Sequence, residues 1–149
     1  MNQTKPTIFF DMDGTIANLY GVDNWLADLD ALRTRPYEQA KVMLHMATLA
    51  RLIHRAQRLG YEVGVISWLS KSGTDEYNAK VAEVKRKWLA THLKSVTFDT
   101  IHIVPYGTPK STFAQMGDIL FDDEVRNRSE WIGKAYPPER IFEILKKIS

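Results

Sequence analysis

Apolar residues along the chain follow two alternating spacings, which predict strands and helices in turn. Short segments rich in apolar residues, typical of buried strands, lie at residues 8–10, 61–67, 99–104 and 119–121, with a fifth at 135–136. Between them, apolar residues recur every three or four positions over residues 38–59 and 75–93, and again after residue 138. Strands that alternate with helices of this length favour an α/β fold with a mainly parallel sheet.

Two helix boundaries carry their own signals. Gly60 follows the first helical stretch and is expected to end it, because glycine readily adopts the conformation of a helix C-terminus. Thr74 or Asp75 is expected to open the second helix, whose apolar stripe contains Val81, Val84 and Trp88.

Residues from about 16 to 40 do not fit the alternation and are predicted to form a small insertion. Asp23 or Asn24 is placed to cap a short helix over residues 25–32, and residues 33–37 are predicted to be a loop because Pro36 disfavours helix at the preceding residue. The insertion carries aromatic residues and arginines that either contact a substrate or serve packing and solvation, and packing is the favoured interpretation. These residues are Tyr20, Trp25, Tyr37, Arg33 and Arg35.

The composition fits one globular domain of 149 residues, with 44% hydrophobic and 26% charged residues. No apolar run is long enough to cross a membrane, and residues 1–6 carry no apolar segment, so we expect neither a membrane span nor a secretory signal. The absence of cysteine excludes disulfides, thiolate catalysis and cysteine-bound zinc, and it fits a cytoplasmic protein. A formal net charge of +2 does not by itself indicate a nucleic acid partner.

The residues that directly follow the first predicted strand carry the first candidate chemistry. Asp11 and Asp13 are two positions apart, so in extended chain both carboxylates face the same side, and Gly14 lets the backbone turn away. Two acids this close stay ionised together only around a cation, and Mg²⁺ prefers such oxygen ligands. Taken alone, the segment is also compatible with an ordinary acidic turn.

Polar residues at the ends of the other predicted strands complete a set. Ser67 ends the second strand, Lys110 follows the third, and Asp122 and Asp123 follow the fourth. Because the carboxyl ends of parallel strands share one edge of the sheet, we expect these side chains to meet there. Carboxylates that hold Mg²⁺, with a lysine and a hydroxyl to bind phosphoryl oxygens, are suited to phosphoryl transfer.

These motifs, in this order, resemble those of the haloacid dehalogenase-like hydrolases. Residues 11–15, Asp-Met-Asp-Gly-Thr, are similar to the first motif of that family, and Ser67, Lys110 and the pair Asp122–Asp123 are similar to the second, third and fourth. The resemblance covers nearly the whole chain. It implies a three-layer α/β/α Rossmann-like sandwich with a small insertion after the first strand and no full cap domain.

The same resemblance implies a role for each residue. Asp11 would be the nucleophile that forms an aspartyl-phosphate, and Asp13 would be the general acid and base. Mg²⁺ would be held by Asp11, the backbone carbonyl of Asp13 and the fourth-motif acids, with Asp122 as the direct ligand and Asp123 direct or through water. The phosphoryl group would be bound by Thr15, Ser67 and Lys110.

Several functional alternatives stay open at this stage. Asp13 favours phosphate ester chemistry, and small bacterial and phage-encoded members and nucleotide phosphatases are the groups that the chain resembles. A nucleoside monophosphate is the first substrate expected, and a terminal phosphate of a nucleic acid strand is the second. A binding module that keeps the fold and the metal without turnover is the alternative from another class.

Three further features have a plain structural interpretation beside a functional one. Lys71, in the loop after Ser67, is an alternative to Lys110 as the phosphate-binding lysine. Trp68, next to Ser67, either lines the pocket of the candidate site or packs in the interior, and packing is the favoured interpretation. The basic cluster at residues 85–87 is interpreted as a solvated helix face.

Overall fold

The computed structural model describes residues 5–71 and 73–149, and its elements follow the predicted alternation. In chain order the strands are β1 (Thr7–Phe10), β2 (Ala17–Asn18), β3 (Lys41–Val42), β4 (Glu62–Trp68), β5 (Thr100–Val104), β6 (Ile119–Phe121) and β7 (Lys134–Tyr136). The helices are α1 (Trp25–Asp30), α2 (Arg35–Gln39), α3 (Met46–Arg58), α4 (Asp75–His92), α5 (Val125–Glu130) and α6 (Ile141–Lys147). Short 3₁₀ turns lie at Leu19–Gly21, Lys110–Phe113 and Pro138–Arg140.

Five strands form a fully parallel central sheet in the order β5-β4-β1-β6-β7. The first strand therefore lies in the middle, with later strands added on one side and then on the other. In such sheets the point where the direction of growth reverses leaves a crevice at the carboxyl ends of the strands. The residues after β1 are consequently at the centre of that edge.

The two faces of the sheet bury different side chains. Ile8 and Phe10 point to the larger core, which α3, α4 and α6 cover, whereas Phe9 points to a smaller cluster with Leu120 and Trp131. The Phe9 and Trp131 rings meet edge to face with centroids 5.8 Å apart. The predicted α/β fold with a parallel sheet and helices on its faces is confirmed, with the long helices on one face and short segments on the other.

Residues 17–42, called the flap below, form the insertion after β1. The antiparallel pair of β2 and β3 closes its base. Its apolar side chains Leu19, Leu29 and Tyr37 pack against Tyr77 and Val81 of α4. The flap is thus fixed to the main body by its own small core. The assignment of the whole chain to one domain stays a prediction.

Two predictions in this region are wrong. The segment over residues 33–37 is not a loop, because α2 begins at Arg35 and Pro36 lies in its first turn, where the missing N–H costs nothing. The helix predicted over residues 38–59 begins only at Met46, where the His45 side chain accepts a hydrogen bond from the Thr48 N–H. Lys41 and Val42 form β3 and pair with β2, so this part of the predicted helix is a strand instead.

The flap arginines have their partners within the flap. Arg33 and Arg35 both pair with the buried Asp28, and Arg35 also donates to the Asp23 carbonyl at 2.6 Å. Their charges are therefore used to hold the flap together.

Among the helices of the described ranges, none combines the length and the apolar composition that crossing a membrane requires.

The first turn of α4 gives a test of this local structure. Thr74 Oγ1 accepts a hydrogen bond from the Tyr77 N–H at 3.1 Å, as the sequence predicts for an N-cap. We expect Thr74→Ala to lower the free energy of unfolding by about 1 kcal/mol, because that N–H loses its partner. Urea denaturation measures the change, and Thr74→Ser, which keeps the hydroxyl, is the control. Equal stability of the two variants would contradict the assignment.

Candidate active site

Asp11 directly follows β1 at the centre of the sheet edge, and both of its carboxylate oxygens accept hydrogen bonds. Its backbone N–H still donates to the Phe121 carbonyl, which extends the sheet by one residue. Lys110 Nζ contacts Oδ1 at 2.8 Å, and the Thr15 hydroxyl donates to Oδ2 at 2.8 Å. Thr15 lies in a tight turn in which three successive backbone N–H groups donate to the Met12 carbonyl. The turn thus places the hydroxyl back against the carboxylate.

Lys110 connects the ends of two neighbouring strands through their acids. Its ammonium contacts Asp122 Oδ2 at 2.7 Å as well as Asp11, and only 2% of the residue is exposed. Asp122 is fully buried, and its Oδ1 accepts from the Glu124 N–H while Oδ2 also accepts from Asn127. Both Asp122 oxygens are therefore occupied by donors of the protein.

Asp123 differs from Asp122 in having an unbound oxygen. Its Oδ1 is buried and has no hydrogen-bond partner among the described residues. Gly14 has a positive φ of 81°, and a Cβ at this position would collide with the Asp123 carboxylate. Glycine at residue 14 therefore leaves room for this acid beside Asp11.

One lysine, Lys85, connects Asp13 to Ser67, although the sequence predicts it on a solvent-exposed helix face. Lys85 Nζ donates to Asp13 Oδ2 at 2.8 Å and to Ser67 Oγ at 2.7 Å. The residue is 1% exposed, so the solvated interpretation is wrong for Lys85. Arg86 and Lys87 of the same cluster are exposed as predicted.

Burial and the neighbouring charges shift the pKa values of the acids and of Lys110 in the site. Burial, and then the charge of Asp11, raise the pKa of Asp122 to about 6 and that of Asp123 to about 8. Burial also raises the pKa of Asp13, with Lys85 acting in the opposite direction. The pKa of Lys110 is raised because the charges of Asp11 and Asp122 outweigh the effect of its burial. Holding these carboxyl groups together in ionised form therefore costs free energy, and a bound cation would lower that cost.

The acids fit a divalent metal ion. Carboxylate oxygens of Asp11, Asp122 and Asp123 lie within 4.8 Å of one another. With Asp13, four carboxylates face two lysines, and when all four are ionised two negative charges are left uncompensated. Oxygen ligands, a net charge of this sign and the unbound Asp123 Oδ1 suit Mg²⁺.

An adjoining cleft of about 260 Å³ opens onto these acids. Asp11, Asp13, Lys110 and Asp123 form part of its lining, and Asn127 lies beside them. Ser67 and Thr15 are fully buried behind this surface. Phosphate binding by these two hydroxyls stays a prediction.

Aromatic residues make up much of the remaining lining. The flap contributes Tyr20 and Trp25, whose rings meet edge to face with centroids 4.9 Å apart. The end of β4 contributes Trp68 and the loop after β5 contributes Tyr106, with ring centroids 5.0 Å apart. Tyr37 also lines the cleft. The aromatic residues of the flap and Trp68 therefore face the candidate site rather than serving packing alone.

The sequence motifs do not reveal two residues of the site, Lys85 and Asn127. Lys85 lies four positions after Val81 and three before Trp88, so it falls on the apolar stripe of α4, which was a usable signal. Asn127 lies one helical turn after Asp123 and donates to Asp122 Oδ2 at 3.1 Å. Lys110 contacts Asp11, whereas Lys71 lies near the Tyr106 ring and also lines the cleft, so the choice of Lys110 as the phosphate-binding lysine stays a prediction.

Comparison with solved structures gives matches of low sequence identity. A D,D-heptose 1,7-bisphosphate phosphatase from Burkholderia thailandensis is 18% identical, with a TM-score of 0.51, and the match covers 84% of this chain and 70% of that one. A D,D-heptose 1,7-bisphosphate phosphatase from B. bronchiseptica, complexed with magnesium and phosphate, is 14% identical, with a TM-score of 0.52 and coverage of 93% and 86%. The sequence matches no protein-family model and no curated protein at a significant level.

The fold is therefore that of the haloacid dehalogenase-like hydrolases, the superfamily to which these two phosphatases belong. The resemblance stated from the motifs is confirmed at the level of the fold.

Metal binding gives the first test of the site. We expect Mg²⁺ to raise the melting temperature more at about pH 8 than at about pH 5, because Mg²⁺ binds carboxylates and Asp123 with its raised pKa is protonated at the lower pH. Without metal, the stability contributed by this group is complete below its ordinary pKa and is lost as the pH rises toward about 8. Thermal unfolding in Mg²⁺ and in chelator measures both effects. A Mg²⁺ effect that does not change with pH, or survives in Asp123→Asn, would contradict this assignment.

The space beside Gly14 gives a second test with a matched control. Gly14 and Gly107 have φ values of 81° and 86°, and a Cβ on Gly107 would meet nothing within 4 Å. We expect alanine at either position to cost about 1 kcal/mol of stability through backbone strain. In addition, Gly14→Ala should lose the stabilisation by Mg²⁺, because its methyl group displaces Asp123. If Gly14→Ala kept the full Mg²⁺ effect, Asp123 would not be part of the metal site.

Proposed function

We propose that this protein is a Mg²⁺-dependent phosphomonoester hydrolase that acts through an aspartyl-phosphate on Asp11. The observation that carries the proposal is the arrangement of Asp11 at the centre of the sheet edge. It is held by Lys110 and Thr15, lies beside Asp122 and Asp123, and faces an open cleft. An acid held in one orientation by two donors is suited to attack on phosphorus.

In the first half of the proposed reaction, the Asp11 carboxylate attacks the phosphorus atom. A bond forms between phosphorus and the Asp11 oxygen as the bond to the substrate's ester oxygen breaks. Asp13, which lines the same cleft, gives its proton to the departing alkoxide. Burial raises the pKa of Asp13, which supports its role as the proton donor.

In the second half, water attacks the phosphorus of the aspartyl-phosphate. Asp13, now ionised, takes a proton from that water, and the bond between phosphorus and Asp11 breaks. The products are inorganic phosphate and the free Asp11 carboxylate. Lys110 stays against Asp11 throughout and offsets the charge that the carboxylate regains.

We propose Asp11, Asp122 and Asp123 as the metal ligands, together with the backbone carbonyl of Asp13. Because both Asp122 oxygens accept hydrogen bonds and Asp123 has a buried unbound oxygen, Asp123 is favoured over Asp122 as the direct ligand. Bound Mg²⁺ would draw charge from the phosphoryl oxygens.

Nucleoside monophosphates are the substrates that we propose. The cleft adjoining the acids has a volume near the lower end of small-molecule sites, and five aromatic residues form part of its lining. They are Tyr20, Trp25 and Tyr37 from the flap, Trp68 at the end of β4 and Tyr106 in the loop after β5. Aromatic side chains stack on the flat faces of bases. A sugar bisphosphate, the substrate class in the names of the two structural neighbours, has no flat aromatic face to stack in this way.

Phosphate release from a panel of phosphomonoesters tests the proposal. Nucleoside monophosphates, an aryl phosphate, a sugar phosphate and an oligonucleotide with a terminal phosphate are compared in Mg²⁺ and in chelator. We expect release that requires Mg²⁺ and is fastest for nucleoside monophosphates. Asp11→Asn should lower the rate by about 10³-fold or more, because the nucleophile is lost.

Asp30→Asn provides a matched control, since Asp30 lines the cleft but makes no contact with the acids in the described structure. It should keep most of the activity. Release from the oligonucleotide alone would move the substrate to nucleic acid ends, and Mg²⁺ binding without release from any ester would indicate a non-catalytic binding module.

A further inference from the structure

Lys85 has an unusual place for a lysine, in the middle of α4 and shielded from solvent. Its ammonium donates to Asp13 Oδ2 at 2.8 Å, to Ser67 Oγ at 2.7 Å and to the Trp68 carbonyl at 2.7 Å. The Tyr37 ring lies over the ammonium, 5.1 Å from Nζ to the ring centroid. Three acceptors and an aromatic ring thus surround the charge, and the residue is 1% exposed.

This geometry limits what Lys85 can do. An ammonium has three N–H donors and no acceptor, and here each donor has its own acceptor. Lys85 could bind a substrate phosphate only by releasing one of them. Lys110 contacts Asp11 and lines the cleft, whereas Lys85 is not among the residues that line it. Lys85 therefore acts on the site through the groups that it holds.

Two of its acceptors belong to β4 and the third is Asp13. Ser67 and Trp68 are the last two residues of β4, a strand in the interior of the sheet, so they are rigid points of attachment. Asp13 lies in the turn after β1 and has no other side-chain partner among the described residues. Lys85 thus ties a carboxylate in a turn to an interior strand of the sheet.

We propose that Lys85 is a positioning residue that holds Asp13 by Oδ2 and leaves Oδ1 facing the cleft to protonate the leaving group. The inference rests on the proposed function, in which Asp13 is the proton donor. It gives Ser67 a second role, as one of the two attachment points of Lys85. A buried charge on the apolar stripe of α4 is costly to keep, and an apolar residue there would serve packing alone equally well.

The test compares leaving groups that need a proton with leaving groups that do not. A nucleoside monophosphate expels an alkoxide and needs the Asp13 proton, whereas a dinitrophenyl phosphate expels a stable phenolate. The readout is kcat/KM, which covers only the steps up to cleavage of the ester bond and so excludes hydrolysis of the aspartyl-phosphate. We expect Lys85→Met to lower kcat/KM for the nucleotide by about 10-fold or more relative to the aryl ester, a part of the range for general acids.

Two comparisons locate the effect at Asp13. Lys87→Met makes the same change two residues away on the exposed face of α4 and should affect neither ester. Asp13→Asn should show the same preference for the aryl ester, and adding Lys85→Met to it should cause little further loss of selectivity, because the group that Lys85 positions is already gone.

Each outcome bears on the proposal. Equal loss for both esters, no loss, or additive effects of the two substitutions would overturn the positioning role. If Lys85→Met does not fold, Ser67→Ala, which removes one attachment of Lys85, is measured in the same way. It should favour the aryl ester to a smaller degree, and an equal loss for both esters would overturn the inference. No Mg²⁺-dependent release by the wild type from either ester would overturn the proposed function and this inference with it.

Discussion

The ion-pair network around Lys110 is the constraint on which the rest of the site depends. Lys110 follows β5 in the chain, while its two partners follow β1 and β6, so three separate crossovers must be in place before the network can form. Both partners are buried, and two buried carboxylates without the lysine would repel each other. Breaking such a buried pair by removing one partner costs roughly 3–5 kcal/mol, which links the site to the folded state.

The strand order explains why these groups meet. With β1 in the middle of the sheet and β6 and β4 on either side, the acids after β1 lie between the acids after β6 and the residues at the end of β4. Each flank of the site then has its own lysine. Lys110 pairs Asp11 with Asp122 on the β6 side, and Lys85 connects Asp13 to Ser67 on the β4 side. Each lysine thus holds a different acid, Lys110 the proposed nucleophile and Lys85 the proposed proton donor.

The flap supplies what the sheet edge cannot, namely an apolar wall. Its small core with Tyr77 and Val81 anchors it to α4, and its aromatic residues Tyr20 and Trp25 line the cleft beside the acids. Since α4 also carries Lys85, the same helix supports the flap and holds Asp13. The wall that would contact a substrate and the group that would give it a proton therefore share one support.

The sequence by itself determined the parallel α/β fold and the residues at the strand ends, because an apolar run and the polar residues after it are neighbours in the chain. Asp11, Lys110, Asp122 and Asp123 were found in this way. Only the tertiary structure decided the state of Lys85, whose Asp13 partner is 72 residues away, and it also decided where α3 begins, through the pairing of β2 with β3. Such features depend on contacts between distant segments, and local periodicity carries no record of which segments will meet.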